Sequence, residues 1–158
     1  MRVKRATTIL QFIMVVSFVL FQPRDSLACS CVGPRGKKAL NGAAAAFSGK
    51  VMKVVYLDAD EPRVEPRIIV TFKVYRSWKG PLNKSVVIHT VYNKRSCEGY
   101  YFKEGEEYLV FAYKNRGHMA AQFAPAKDTL GVNYCGATGP LAYAEEELRE
   151  LGPGRTPE

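Results

Sequence analysis

Histidine and tryptophan are scarce in this chain of 158 residues: two His, at 89 and 118, and one Trp, at 78. With so few imidazoles no Ser–His–Asp or Cys–His arrangement can be argued, and the sequence assembles no catalytic constellation. The expectation is a protein that is not an enzyme. Long apolar runs are scarce too. The single one, Ile9 to Phe21, is 13 residues interrupted by Gln11 and Ser17, where a spanning helix needs about 20. With a mean hydropathy of −0.16, that excludes a polytopic membrane protein. Internal repeats and low-complexity segments are absent, which excludes repeat architectures. What is present is ordinary for one packed domain: 47% hydrophobic and 24% charged residues, with nine Tyr and eight Phe for a core.

The N-terminus reads as an address. Arg2, Lys4 and Arg5 precede the apolar run with no acid among them, and a polar stretch then leads to Ser26-Leu27-Ala28. Ser26 and Ala28 give the small-residue pattern a signal peptidase needs before Cys29, so residues 1–28 are expected to be a removed signal peptide. Cleavage there would also suit a lipoprotein, but lipid attachment wants an aliphatic residue where Ser26 stands, and Arg24 and Asp25 lie close by. Removing this segment takes away four of the 23 basic residues and one of the 15 acids. The remaining 19 and 14 leave a net charge of +5, which favours solubility and specifies no partner. The expected location is extracellular, or periplasmic in a bacterium, with no membrane attachment after cleavage.

All four cysteines, Cys29, Cys31, Cys97 and Cys135, fall in the mature part. An even count in an exported chain predicts two disulfides. Pairing Cys29 with Cys31 would strain a very small ring. The unstrained choices join this Cys-x-Cys to two distant points, each closing a loop of roughly 70 to 100 residues and adding about 4 kcal/mol in a chain-entropy picture. A zinc site is disfavoured by the single-residue spacing and by the lack of a His near Cys97 or Cys135.

Along the mature chain, Pro34 to Gly42 predicts a short helix. Ala43 to Leu57 predicts a long first strand with a bulge or bend at Gly49. Arg67 to Trp78 alternates so regularly that its even-numbered face is expected in the core. Ser85 to Tyr92 and Glu106 to Lys114 predict two more strands, and Gly117 to Ala124 a fifth, followed by an extended Thr129 to Cys135. Leu141 to Leu151 has acids early and leucines at helical spacing, and 153–158 is expected to be a flexible tail. The expected fold class is mainly β: a small five-stranded OB-fold-like barrel with short flanking helices, filling 29–152.

Several segments together resemble the tissue inhibitors of metalloproteinases, and more broadly the netrin-like domain. They are Cys29-Ser30-Cys31 at the mature start, Ala46 to Val51, Phe72 to Gly80 with its Trp-Lys-Gly end, Ser96-Cys97-Glu98-Gly99-Tyr100, and Glu106 to Val110. The likeness spans about 29–140. It departs from the animal proteins in showing neither a third disulfide nor a second, cysteine-rich subdomain, so what it resembles is a minimal, single-domain version.

The resemblance implies bridges Cys29–Cys97 and Cys31–Cys135. It also implies a function: inhibition of a zinc metalloprotease by an N-terminal wedge of Cys29, Ser30, Cys31 and Val32, with Arg95 and Ser96 flanking it. The metal would be bound by main-chain atoms of Cys29, whose α-amino group and carbonyl can close a five-membered chelate at the open position of a catalytic zinc. An α-amine with an ordinary pKa of about 8 is readily neutral when zinc competes for it. Two bridges beside it would spare ordering entropy on binding. The chain needs no cofactor of its own, because the zinc belongs to the target. The expected partner is a zinc metalloprotease, with no nucleic acid, and the expected state is a monomer. The alternative is a secreted netrin-like interaction module without inhibitory activity.

Other constellations are weaker. His89 and His118 read as surface or packed residues. Asp58, Asp60, Glu61 and Glu65 form an acidic loop without regular calcium-ligand spacing. Tyr75, Trp78, Tyr92, Tyr100 and Tyr101 beside Lys73, Lys79, Lys94 and Arg95 could imitate a single-strand nucleic-acid groove, but export and core packing weigh against it.

Overall fold

The computed structural model describes residues 33–57, 67–80, 83–93, 98–114, 129–132 and 135–158. Within them the chain forms helix α1 (Gly36–Gly42) and strands β1 (Ala45–Leu57), β2 (Arg67–Lys79), β3 (Ser85–Asn93), β4 (Glu98–Gly99), β5 (Glu107–Lys114), β6 (Leu130–Gly131) and β7 (Gly139–Pro140). A single 3-10 turn (Leu141–Tyr143) and helix α2 (Glu145–Leu151) follow.

The strands close on themselves. β1 pairs antiparallel with β2, β2 with β3, β6 with β5, and β5 with β1, while β3 and β6 run parallel. The result is a closed five-stranded mixed β-barrel, with β4 added to β3 and β7 to β5. Closure removes the long edges that an open sheet of this composition would expose. The expected fifth strand, Gly117 to Ala124, lies outside the described residues. The ring is completed instead by two residues of the segment expected to be extended, Leu130 and Gly131.

Bulges turn the flat sequence pattern into a curved wall. Ile68, Val70, Phe72 and Val74 are buried as the alternation predicts, but the even face does not persist: Arg76 is exposed and Ser77 fully buried. The reason is a register slip. Ser48 pairs with Arg76 while Gly49 pairs with Val74, which leaves Tyr75 as an extra residue on β2. A side chain at Gly49 would start 2.5 Å from the Lys73 carbonyl oxygen, so the bend needs glycine there. At the other end, Ala43 is not part of β1. Its N–H closes α1 on the Ala39 carbonyl at 3.0 Å.

Two apolar clusters share the wall. Inside, the ring of Phe72 stands edge-on to Phe47 and Phe102 at centroid separations of 5.4 and 5.2 Å. Phe102 is likewise edge-on to Tyr108 at 4.9 Å. Each such pair adds about 0.5–1.5 kcal/mol beyond area burial. Outside, Leu109 and Phe111 of β5 meet Ala39 and Ala43 of the α1 segment and Ala144, with Leu148 and Leu151 of α2 packed on them. β5 is buried on both faces because helices cover its outer side, which is why Tyr108 to Ala112 form a continuous buried run.

Within the segment expected to be a tail, 153–158, Arg155 forms an isolated bridge to β2. Ser77 and Arg155 exchange two backbone hydrogen bonds of 2.8 Å, and Arg76 Nη1 donates to Thr156 Oγ1 at 3.0 Å. The physical cause is that β3 pairs with β2 only as far as Lys73: beyond it the buried Ser77 has backbone groups that need partners, and Arg155 supplies them.

Candidate functional site

The proposed wedge enters the described structure at Gly33. Cys29, Ser30, Cys31 and Val32 lie outside the described residues, as do Arg95, Ser96 and Cys97. Gly33 itself is held against the chain at Cys135, and a Cβ on Gly33 would run into the Cys135 carbonyl oxygen. Cys135 is exposed, yet no described cysteine is free. The chain segments that begin after Val32 and continue from Cys135 are therefore neighbours, although they stand a hundred residues apart.

Tyr100, three residues after Cys97, borders the same place. A cleft of about 960 Å³ is lined in part by Gly33, Pro34, Tyr100, Cys135 and Tyr143. Tyr100 is fixed by its backbone: its N–H donates to the Val91 carbonyl at 3.1 Å and to Thr90 Oγ1 at 2.9 Å. The fully buried Thr90 hydroxyl in turn donates to the Val91 carbonyl at 3.1 Å. Gly99 makes this crossing possible. It has φ +72°, and a side chain would strike the Val91 carbonyl. On the far side, Thr138 Oγ1 accepts from the Phe111 N–H at 3.0 Å, which ties the chain after Cys135 to β5.

The other side of Gly33 is built by the two helices. Arg35, the residue before α1, has no capping hydrogen bond of its own side chain. The Lys37 N–H instead donates to Glu150 Oε1 of α2 at 3.2 Å, and Arg35 Nη1 lies 3.3 Å from Glu147 Oε1. The carboxylate of Glu150 fills the space where a Cβ of Gly36 would stand, and Gly36 has φ +52°. Sequence reading missed Glu147 and Glu150. Their helix could be read from acid placement, but no local pattern shows which distant N–H they accept from.

The remaining sequence candidates scatter. Trp78 Nε1 donates to the Gly152 carbonyl at 2.8 Å, and Lys79 Nζ reaches the Leu40 and Asn41 carbonyls at 3.0 and 2.9 Å. The Tyr75 hydroxyl donates to Glu107 Oε1 at 2.9 Å, and Tyr100 packs against Phe102. Tyr101 is exposed and Lys73 projects from β2. His89 is half-buried on β3, and burial lowers its pKa below the ordinary imidazole value. His118, the acidic loop 58–66, Lys94 and the side chain of Tyr92 lie outside the described residues.

A titratable network sits at the β5 entry. The Tyr108 hydroxyl donates to Glu106 Oε2 at 2.8 Å and accepts from the Lys103 N–H at 3.1 Å. Burial first, and then the Glu106 carboxylate, push the Tyr108 phenol up to about 12. The same hydrogen bond, with help from Lys103, lowers the Glu106 carboxyl below its usual range. These groups tie a turn together.

Among the described residues no three His, Cys, Asp or Glu side chains converge to hold a metal. No helix among them is long and apolar enough to cross a membrane. No protein-family model matches the chain, and no curated protein matches it in sequence.

Proposed function

We propose that the chain is an exported inhibitor of zinc metalloproteases, built on an OB-fold-like, netrin-like barrel and acting through its mature N-terminus. The observation that carries this reading is the contact between Gly33 and Cys135. It brings the chain just after the Cys29-Ser30-Cys31-Val32 segment to a cysteine that is not free, as a Cys31–Cys135 bridge requires. Tyr100 beside the same cleft suits a second bridge, Cys29–Cys97. The ring order, with β3 and β6 parallel and β5 returning to β1, suits an OB-type barrel.

In this reading the Cys29 amine and carbonyl occupy the open coordination position of the target's zinc, and Ser30 enters the adjoining specificity pocket. Arg95 and Ser96 flank the wedge. The sulfurs are committed to the bridges and do not bind metal. The protein brings no cofactor. It meets its target as a monomer outside the cell.

The test compares the mature form starting at Cys29 with a form carrying one extra N-terminal Ala, against a panel of zinc endopeptidases. Inhibition by the first and at least a hundredfold loss in the second is expected, because the amine is moved off the metal (about 2.7 kcal/mol). Equal potency of the two refutes chelation. Absence of inhibition across the panel favours the second reading, a netrin-like interaction module. That reading draws on the exposed Met52, Tyr56, Val87 and Tyr101, which offer apolar contact on the barrel surface.

A further inference from the structure

We infer that the outer face of β1, β2 and β3 is an adsorption surface for bilayers rich in anionic phospholipid. The inference does not depend on the inhibitor reading. It adds to the barrel a second surface with a partner of its own.

Strand register puts the charges on this face. Val51 of β1 pairs with Phe72 of β2, and both belong to the inner core. Their neighbours Lys50 and Lys73 therefore stand on the outer face, where they are directly paired with each other. Like charges directly opposite one another destabilise a sheet, so the fold alone gives no reason for this pair. Lys53 adds a third cation on the same wall, opposite Thr71. No Asp or Glu occurs anywhere in β1, β2 or β3. The carboxylates that reach these strands from their neighbours are engaged: Glu107 accepts from the Tyr75 hydroxyl at 2.9 Å, and Glu104 from the Val54 N–H at 2.7 Å.

Apolar side chains lie among these lysines. The register slips between Val51 and Lys53, so Met52 is an extra residue that shares with Lys53 the place opposite Thr71. Thr71 is in turn opposite Val87 of β3. Met52 is 55% exposed and Val87 45%. The half-buried pair Val55 and Ile69 continues the same face. Among the described residues no helix covers it, since α1 and α2 pack on β5 and on the Trp78 end of β2.

An anionic bilayer takes up both kinds of group. A lysine keeps its ammonium at the level of the headgroups, while its stem and the apolar side chains beside it enter the acyl boundary. Each lysine near such a surface strengthens partition about fivefold. The paired cations are lysines and not arginines. A flexible point charge suits a fluid array of phosphates, whereas a guanidinium fork suits a fixed, bidentate acceptor. A soluble polyanion would use the lysines and leave Met52 and Val87 in water. Adsorption of this kind is reversible and needs no anchor.

The experiment sediments the mature protein with vesicles of phosphatidylcholine and phosphatidylglycerol, about 7:3, and with vesicles of phosphatidylcholine alone. Binding to the anionic vesicles and not to the neutral ones is expected at about 0.1 M salt. Lys50→Gln combined with Lys73→Gln should weaken it about 25-fold. The thermal midpoint of that variant should equal or exceed that of wild type, because the repulsive pair is gone. Met52→Ser combined with Val87→Ser should weaken binding about tenfold.

Wild type that ignores the anionic vesicles, or binds both kinds equally, overturns the inference. A lowered midpoint in the lysine variant would assign the pair to the fold and overturn the argument from register. Binding that survives Met52→Ser with Val87→Ser, while poly-glutamate or dextran sulfate is held as tightly as the vesicles, overturns lipid as the partner and leaves a soluble polyanion or an acidic protein in its place.

Discussion

The ammonium of Lys79 donates to the carbonyl oxygen of Leu40 at 3.0 Å, across the junction between β2 and α1. Its second hydrogen bond, to Asn41 at 2.9 Å, falls on the same helix end. Carbonyls at a helix C-terminus have no partner within the helix, and a cation there is favoured by the dipole. The adjacent Trp78 does the same for α2 through Gly152. Two consecutive residues of one strand thus close two different helices. Gly80 then turns the chain away with φ +86°, where a Cβ would lie within 3.0 Å of Ala44 and Ala45 atoms. The Trp-Lys-Gly end of β2, noticed in the sequence only as a likeness, is a clasp that holds the helical layer on the barrel.

Replacing Lys79 by Met keeps the apolar stem and deletes both hydrogen bonds. The expected loss is about 1–2 kcal/mol of unfolding free energy, since the bonds are charge-assisted but partly solvated. Urea unfolding at constant m-value measures it. A midpoint unchanged from wild type would mean that the clasp adds nothing to stability.

Truncation after Gly152 removes the strand-like pairing of Arg155 with Ser77. Ser77 is fully buried, so its N–H and C=O would lose their 2.8 Å partners in a place water reaches poorly. An expected destabilisation of about 1–3 kcal/mol follows from leaving buried backbone groups unsatisfied. A truly loose tail would cost nothing on removal, so thermal melts of the full and shortened mature chains decide between the two.

The contrast between β2 and this C-terminal segment shows where the sequence is readable. Alternation from Ile68 to Val74 is a local signal, and the structure buries those residues as expected. Leu148 and Leu151 at helical spacing likewise mark α2. Gly49 signals a bend because only one residue type tolerates the close approach of Lys73. By contrast, the pairing of Arg155 depends on a partner 78 positions earlier, Ser77, that no local pattern points to. Gly154-Arg155-Thr156 is by composition an ordinary frayed end. The Glu150–Lys37 and Lys79–Leu40 contacts have the same character: a charged side chain on one element answers an orphan group on another. β6 is too short to announce itself, and only ring closure gives Leu130 and Gly131 their role. Of the candidate site, the sequence supplies the identities at 29–32 and 95–97, and the structure supplies the neighbourhood of Gly33, Cys135 and Tyr100.

His89 gives the fold a dependence on pH that can be isolated. Burial lowers its folded pKa below 6.5, so on acidification the unfolded chain takes up this proton first. Stability from the neutral imidazole is complete above the unfolded value and is lost as pH falls through the folded one. The lowered carboxyl of Glu106 acts only further down, below its usual 4.5. Unfolding midpoints of wild type and His89→Gln, compared at about pH 8 and about pH 5, should draw together or cross at the lower pH. Parallel shifts of the two proteins would show that the imidazole is not the group responsible.

Gly33→Ala separates the fold from the proposed wedge. The new methyl would meet the Cys135 carbonyl oxygen, and the cheaper adjustment is to move the short N-terminal segment, because Cys135 is followed by Thr138, which is hydrogen-bonded to β5. Because the atom met is backbone, stability should fall by about 1–3 kcal/mol, the usual cost of overpacking. The wedge, which joins the barrel through this residue, should be displaced by an amount comparable to the contact being relieved. Inhibition should drop by about one to two orders of magnitude (about 1.4–2.7 kcal/mol) while the protein still melts cooperatively at a lower midpoint. A variant that melts and inhibits as wild type would place the segment before Gly33 on a path that does not depend on Cys135. A variant that unfolds would make Gly33 a part of the barrel's own packing, with no special relation to the chain end.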